Sequence, residues 1–430
     1  MLDRSQLRTA SMYQVFTRNY SQEGTFKALE DDLGRIAEMG FDYLYLTPIH
    51  PIGELNRKGK LGSPYAIKDY YAVDVALGTL DEFDALVKEA HRQGLKVVLD
   101  IVINHTSRDH DFTKTHPEYY YQKDDHSFFN RFEEWSDIYD LNYTSPMLQK
   151  EMIDMLCYWA QRGIDGFRCD VASLVPVSFW RDAKQAVSAI NPEMLWLAES
   201  SHGEFIAKMR ARGYEVASDA ELFEVFECCY NYDSHDILVE TLRRNLSLTE
   251  YQKRLRQQEW QYRADYIKLN AIENHDQERV MHWTRDVLRS NQWLAFSWFL
   301  KGMAFAYAGQ EFYETNHPSL FDKDPNQKMG NEINSGQLIK RLNQIKKMDF
   351  NREHSDYQVH VTEREYFRVE YFTPEKRVIG IFNVRLLADT IDIGVKDGIY
   401  TNLIDGLTFE VREGKIALSE VPLIFEERLD

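Results

Sequence analysis

Apolar positions along the chain follow two alternating rhythms. After Thr25, Leu29, Leu33 and Ile36 fall at helical spacing, Gly40 ends the run, and Tyr43 to Leu46 reads as a short apolar strand. The grammar repeats. Thr79 and Glu82 form a capping box ahead of a stripe of Phe83, Leu86, Val87 and Ala90, Gly94 ends that helix, and Lys96 to Ile103 is the next strand. Ser145 and Pro146 open a helix faced by Met152, Met155, Leu156 and Trp159. Gly163 closes it, and the strand that follows ends at Asp170. Gly213 repeats the ending, which predicts a strand through Ala217. Met12 to Thr17, Leu195 to Ala198, Ile267 to Ile272 and Met303 to Tyr307 complete a set of about eight.

Helices alternating with short apolar strands imply parallel strands joined by helical crossovers. Eight such units predict an α/β protein built on a closed (β/α)8 TIM barrel. An open doubly wound sheet is the weaker reading, because no glycine-rich loop follows the first strand. Beyond residue 350 the rhythm changes. Tyr366 to Phe372, a turn, and Arg377 to Val384 read as a hairpin, and further strands run to Leu423–Phe425, which predicts a small antiparallel β-sandwich. The expected division is a catalytic barrel over 1–350 and a sandwich over 351–430. A loop of roughly forty residues, about 105–145, follows the third strand, and a loop that long is usually functional.

Composition narrows the partners. The net charge of −18 argues against nucleic acid and against anionic membranes, and suits a neutral substrate. No stretch is apolar for long enough to span a bilayer and the first residues carry no signal-peptide core, so a cytoplasmic location is expected. The four cysteines, Cys157, Cys169, Cys228 and Cys229, fit neither a disulfide framework nor a zinc site and read as packing.

The chemistry gathers at strand ends. In such a barrel the C-terminal ends of the strands carry the active site. Here the third strand leads to His105, the fourth ends in Arg168 and Asp170, the fifth in Glu199, and the seventh in Glu273 to Asp276. Stability needs no acid cluster at one mouth, whereas glycoside cleavage needs paired carboxylates. Asp170, beside Arg168, is assigned as the ionised nucleophile. Glu199 follows an apolar strand with no cation adjacent in sequence, so burial is expected to raise it as the acid/base. His105 and His275 are candidates to bind sugar hydroxyls, and Asp276 to hold the distorted ring. Asp100, earlier in its strand, is expected to support Arg168 from beneath. Trp135 and Tyr119 to Tyr121 are candidate subsites at even odds with loop packing. Gln310 and Glu311 are expected to hold the barrel rim, and the polar run Phe321 to Gly330 to form part of that rim.

Four segments, Asp100 to His105, Gly166 to Asp170, Glu199 and Asn274 to Asp276, resemble in order and spacing the signature regions of the α-amylase family of glycoside hydrolases. The resemblance implies a retaining enzyme with Asp170 as nucleophile, Glu199 as acid/base and Asp276 as transition-state stabiliser. It implies carboxyls about 5–5.5 Å apart. Gly62 to Tyr70 resembles the second loop of that family and makes Tyr65 the residue that stacks on the sugar. Tyr139 to Asn142 resembles a motif near the end of the third-loop domain. The substrate implied is a starch-type α-1,4-glucan or maltooligosaccharide. The alternatives are a 4-α-glucanotransferase or α-1,6-glucosidase on the same machinery, then a metal-dependent hydrolase, then a non-catalytic carbohydrate binder. Where the family often carries a lysine and a histidine after the nucleophile, this chain has Ser173 and Leu174. Asn104 is the position that resemblance offers to calcium, and no metal ligand is assigned.

Overall fold

The computed structural model describes residues 2–132, 134–352, 356–361 and 365–429. Eight parallel strands close into a barrel: β1 Ser11–Val15, β2 Tyr43–Leu46, β3 Lys96–Ile101, β4 Gly166–Cys169, β5 Leu195–Ala198, β6 Cys228–Tyr230, β7 Lys268–Asn270 and β8 Met303–Tyr307. Closure is made by β1, which pairs Met12 with Tyr43 on one side and Ser11 with Ala304 on the other. Three of the helices begin at capping hydroxyls, two of them at the caps read from sequence, Thr79 and Ser145. Thr25 accepts from the Ala28 amide at the head of Phe26–Glu38. Thr79 and Glu82 close a reciprocal capping box on Leu80–Arg92, and Ser145 caps Pro146–Gln161. Gly40 and Gly163 sit at φ of 86° and 89°, the left-handed conformation that ends these helices and turns the chain into β2 and β4.

One strand expectation is overturned. Tyr214 to Ala217 forms no strand; the Ala217 amide instead donates to the Ser173 carbonyl, tying this segment to the turn after Asp170. The sixth strand is Cys228–Tyr230. The two cysteines are buried, as packing required, but they are barrel wall. Glu227, which breaks the apolar run ahead of them, bonds the Trp196 amide at 3.2 Å and pairs with Lys184.

The long loop after β3 leaves the barrel as a ribbon, His105–Ser107 against Ile138–Asp140. The C-terminal region is antiparallel throughout. A four-stranded sheet runs in the order β9 Asp356–Val361, β10 Phe367–Phe372, β11 Lys376–Phe382 and β12 Leu423–Arg428. Two short ribbons, Thr390–Asp392 with Lys415–Ala417 and Gly398–Thr401 with Thr408–Val411, cover one face. Alternation along β11 divides its side chains. Ile379 and Ile381 join Ile391, Ile393, Val411 and Ile416 under the ribbons, while Val378 and Phe382 join the barrel core. On that side the sheet lies on helix Val287–Phe299. Phe296 stacks on Phe367 at 4.1 Å, and Phe299 meets Tyr371 and Phe382. Gly380 makes the approach possible, since a Cβ there would lie 2.7 Å from the Phe299 ring. Among the described residues no helix is long and apolar enough to cross a membrane.

The stacked pair is fully enclosed, so Phe367→Ala is expected to cost about 3–5 kcal/mol through transfer and cavity terms. Urea unfolding measures it. A loss under about 1 kcal/mol, the size of a tolerated core swap, would show that the sheet is not part of the barrel's core.

Candidate active site

The floor of the barrel mouth is one arginine. The register of β3 on β4 sets Asp100 beside Arg168, and Arg168 has no solvent contact. Its Nη1 donates to Asp100 Oδ1 at 2.8 Å and to Asp170 Oδ1 at 2.9 Å. The Nη2 atom lies 2.9 Å from Glu199 Oε1 but is not aligned to donate. Tyr45 and Tyr65 donate their hydroxyls to Asp100 Oδ2, so Asp100 is occupied from below and braces the guanidinium, as expected. No cation is adjacent to Glu199 in sequence, but one is adjacent in space. Its cation is Arg168, delivered by the neighbouring strand, a relation that linear sequence does not display.

Glu199 is fixed on its other side by backbone. Its Oε2 accepts from the Val171 amide at 2.7 Å. Val171 holds φ 38°, ψ 44° to aim that N–H, a left-handed conformation that a β-branched residue rarely adopts. Strain of this kind costs about 1–3 kcal/mol. It sits on the residue directly after Asp170.

Arg168 lowers Asp170, as its place beside it implies, but it is outweighed. Burial, with the adjacent Glu199 charge, pushes Asp170 well above the ordinary carboxylate range, and Arg168 only offsets part of that. Burial also raises Glu199, with Arg168 again opposing. Two raised carboxyls on one guanidinium share protons as a pair. Each carboxyl keeps one aligned donor to its charged form, Arg168 Nη1 for Asp170 and the Val171 amide for Glu199. Asp276 is different. Against the upward push of burial, the His275 ring, then Arg168 and His317, hold it below its ordinary value. The His275 Nε2 atom lies 3.0 Å from Asp276 Oδ2. The same Nε2 contacts the Tyr65 hydroxyl, the Tyr65 and His275 rings stack at 5.5 Å, and Gln14 reaches His275 Nδ1 at 2.7 Å. His105 Nε2 bonds the Tyr65 carbonyl at 3.1 Å, and burial lowers the imidazole's pKa, which keeps it neutral at pH 7.

Asp170, Glu199, Asp276, Tyr65 and His105 open into one cleft of about 310 Å³, while Arg168 and His275 sit behind it. Lys58, Trp135, Asp137, Val171, Leu320 and Phe321 are among the other residues of its walls. A larger hollow of about 860 Å³ lies at the other mouth of the barrel, around Arg4, Arg8 and Arg181, and holds none of these acids. Trp135 therefore lies on the cleft, whereas Tyr119 and Tyr120 are buried in loop packing. Phe321 belongs to the expected rim, and its carbonyl accepts from the Leu61 and Gly62 amides of the second loop. Glu311 ties β1 to β8 by accepting from the Tyr13 hydroxyl at 2.6 Å and from Arg35 at 2.8 Å.

Several contributors escape sequence reasoning. Lys58 pairs with Asp137 at 2.9 Å, joining the second loop to the third across the cleft edge. Gln14 lies at the end of β1, far in sequence from His275. Only Val171 carried a signal, its place next to Asp170. The departures Ser173 and Leu174 are both buried. Ser173 Oγ accepts from the Ser201 amide, and Leu174 packs with Ile206, Met209, Phe132, Trp135 and Phe205. The two positions thus hold a hydrogen-bonded serine and an apolar leucine.

The fold and site define a class: closed (β/α)8 barrels with an acid cluster at the C-terminal mouth, here three acids, two of them on one buried arginine. The chain belongs to the alpha-amylase family, whose catalytic domain (alpha amylase, catalytic domain) matches residues 12–370, with a bacterial alpha amylase C-terminal domain over 358–425. An alpha-amylase from Lactobacillus plantarum is similar at 38% identity and a TM-score of 0.95, covering 98% of this chain and 100% of that one. A maltogenic alpha-amylase from Thermotoga neapolitana is similar at 28% identity and a TM-score of 0.87, over 99% and 100% of the two chains. An alpha-1,4-glucan:maltose-1-phosphate maltosyltransferase from Bifidobacterium longum is 35% identical, over 46% of this chain and 30% of its own length.

Because folding raises Glu199, its ionised form is disfavoured in the native state. The native state binds the proton more tightly than the unfolded chain, so stability falls as pH rises above the unfolded value. Glu199→Gln is therefore expected to melt higher than the wild type at pH 7. Below the ordinary carboxylate range both carboxyl forms are protonated and the gap is expected to close. A wild type that melts higher at neutral pH would show that the charge is stabilised where it lies.

Proposed function

We propose that the protein cleaves α-1,4-glucosidic bonds of starch-type glucans or maltooligosaccharides with retention of configuration. The observation that carries this reading is the shared arginine: Asp170 and Glu199 each lie 2.9 Å from Arg168 and face the cleft that Asp276 borders. In this mechanism Asp170 attacks the anomeric carbon while Glu199 protonates the departing glycosidic oxygen. The sugar then stands covalently on Asp170. Glu199, now ionised, takes a proton from water, and the oxygen of that water attacks the anomeric carbon and releases Asp170. Asp276, held ionised by its histidine neighbours, favours the positive charge that develops on the ring. Tyr65 offers its ring to the sugar at the cleavage point, and His105 binds a sugar hydroxyl when its Nε2–H turns from the Tyr65 carbonyl. Arg168 holds the two carboxyls in register, and His275 orients Asp276 and Tyr65.

A transfer reading has its own support in the likeness to the maltosyltransferases, which extends over about half of this chain. In it a sugar hydroxyl replaces water in the second step. The barrel over 1–350, with the 105–145 insert, supplies the whole machinery in either reading, and 351–430 closes its side. A cytoplasmic location remains our reading, supported by four unpaired cysteines, three of them buried.

Asp170→Asn and Glu199→Gln are each expected to lower kcat by several orders of magnitude with the fold unchanged by circular dichroism. Near-normal turnover in either variant rejects the assignment. Chromatography of products from starch, maltotriose, isomaltose and a cyclodextrin separates the two outcomes. Reducing ends formed from starch support hydrolysis. Longer oligosaccharides from maltotriose, with few new reducing ends, reject it in favour of transfer.

A further inference from the structure

A second buried arginine lies outside the catalytic chemistry. Arg131, in the insert, is 3% exposed at its side chain and reaches three separate segments. Its Nε donates to Asp140 Oδ2 at 3.0 Å, its Nη1 to the Leu174 carbonyl at 3.1 Å, and its Nη2 to Asn104 Oδ1. Its backbone amide also bonds Asp140 Oδ2, at 2.8 Å. The acceptors come from the end of β3, from the returning strand of the insert, and from the turn four residues after Asp170.

A carboxylate, an amide oxygen and a backbone carbonyl converging on one point are the donors a hard cation takes. Family resemblance offers Asn104 to calcium, and here the oxygens are already taken. A divalent ion at this place would displace the guanidinium or lie against it in a site of low dielectric, where like charges repel strongly. Among the described residues no group of three or more acidic, histidine or cysteine side chains is placed to hold a metal. The residues do not fit calcium as the chain stands.

We propose that Arg131 is a covalently built-in cation that replaces a structural metal, locking the insert to the catalytic turn without any ion from solution. The lock also reaches the cleft. With Oδ1 committed to Arg131, the Asn104 amide nitrogen faces His105 Nδ1 at 3.1 Å. That bond leaves the His105 proton on Nε2, directed at the Tyr65 carbonyl. Arg131 is thus a positioning residue for both the Asp170 turn and His105. Asp140 keeps one oxygen, Oδ1, with no hydrogen-bond partner. Removal of the guanidinium would leave a cage with an unused carboxylate oxygen, suited to a cation.

The test is thermal melting with metal analysis. Wild-type protein is expected to contain no stoichiometric calcium and to keep the same Tm in chelator and in millimolar calcium. Arg131→Ala is expected to melt several degrees lower in chelator and to regain most of that loss as calcium is titrated in. Arg131→Ala combined with Asp140→Asn is expected to show no regain, which separates refilling of the cage from general salt effects. Bound calcium in the wild type, or a wild-type Tm that rises with calcium, overturns the proposal. So does an Arg131→Ala protein that melts like the wild type. If Arg131→Ala fails to fold in chelator, folding restored by calcium supports the proposal, and failure to fold with calcium present overturns it. None of these readouts involves turnover, so they stand apart from the fate of the glucan assignment.

Discussion

The Arg168 guanidinium is the constraint on which the site depends. It is sealed from water and touches three carboxylates, Asp100, Asp170 and Glu199, with Asp276 across the cleft. One positive charge cannot offset that many negative ones in a buried setting, so the site must hold protons. Asp100 is occupied by two tyrosine hydroxyls and by Arg168, and Asp276 by histidines. The imbalance therefore falls on Asp170 and Glu199. The rise of both carboxyls follows from this count of charges rather than from any property of either carboxyl alone. The strained Val171 amide opposes part of the rise at Glu199 by donating to one of its oxygens.

The fold was legible wherever a local rule governed it. Caps at Thr79 and Ser145 and glycines at 40, 94 and 163 mark helix ends through backbone chemistry within a few residues, and the structure follows them. The sixth strand failed because two apolar runs competed. Val216 and Ala217 look like a strand by composition, but they dock against the turn after Asp170, while Cys228–Tyr230 had its signal broken by Glu227. Which run enters the barrel is decided by neighbours on β5 and β7, and that is tertiary information.

The site divides the same way. Asp170, Glu199, Asp276 and His105 were visible because strand ends in a barrel converge by construction. The sign of the Asp170 shift was not, because burial and the approach of Glu199 arise only on folding. Arg131 was invisible for a similar reason. Its partners Asn104 and Leu174 lie 27 and 43 residues away, and an arginine in a polar loop reads as solvated surface until the three segments close around it.

The stacked Phe296–Phe367 pair, with β11 dividing its side chains between two cores, bears on how such chains can change over time. A region joined by a flexible linker can be exchanged or lost without harm to its neighbour. Here, removal of the C-terminal sheet would bare an aromatic face of the barrel's own helical layer and invite aggregation. An exchanged sheet would have to bring a matching aromatic face to keep this helical layer covered.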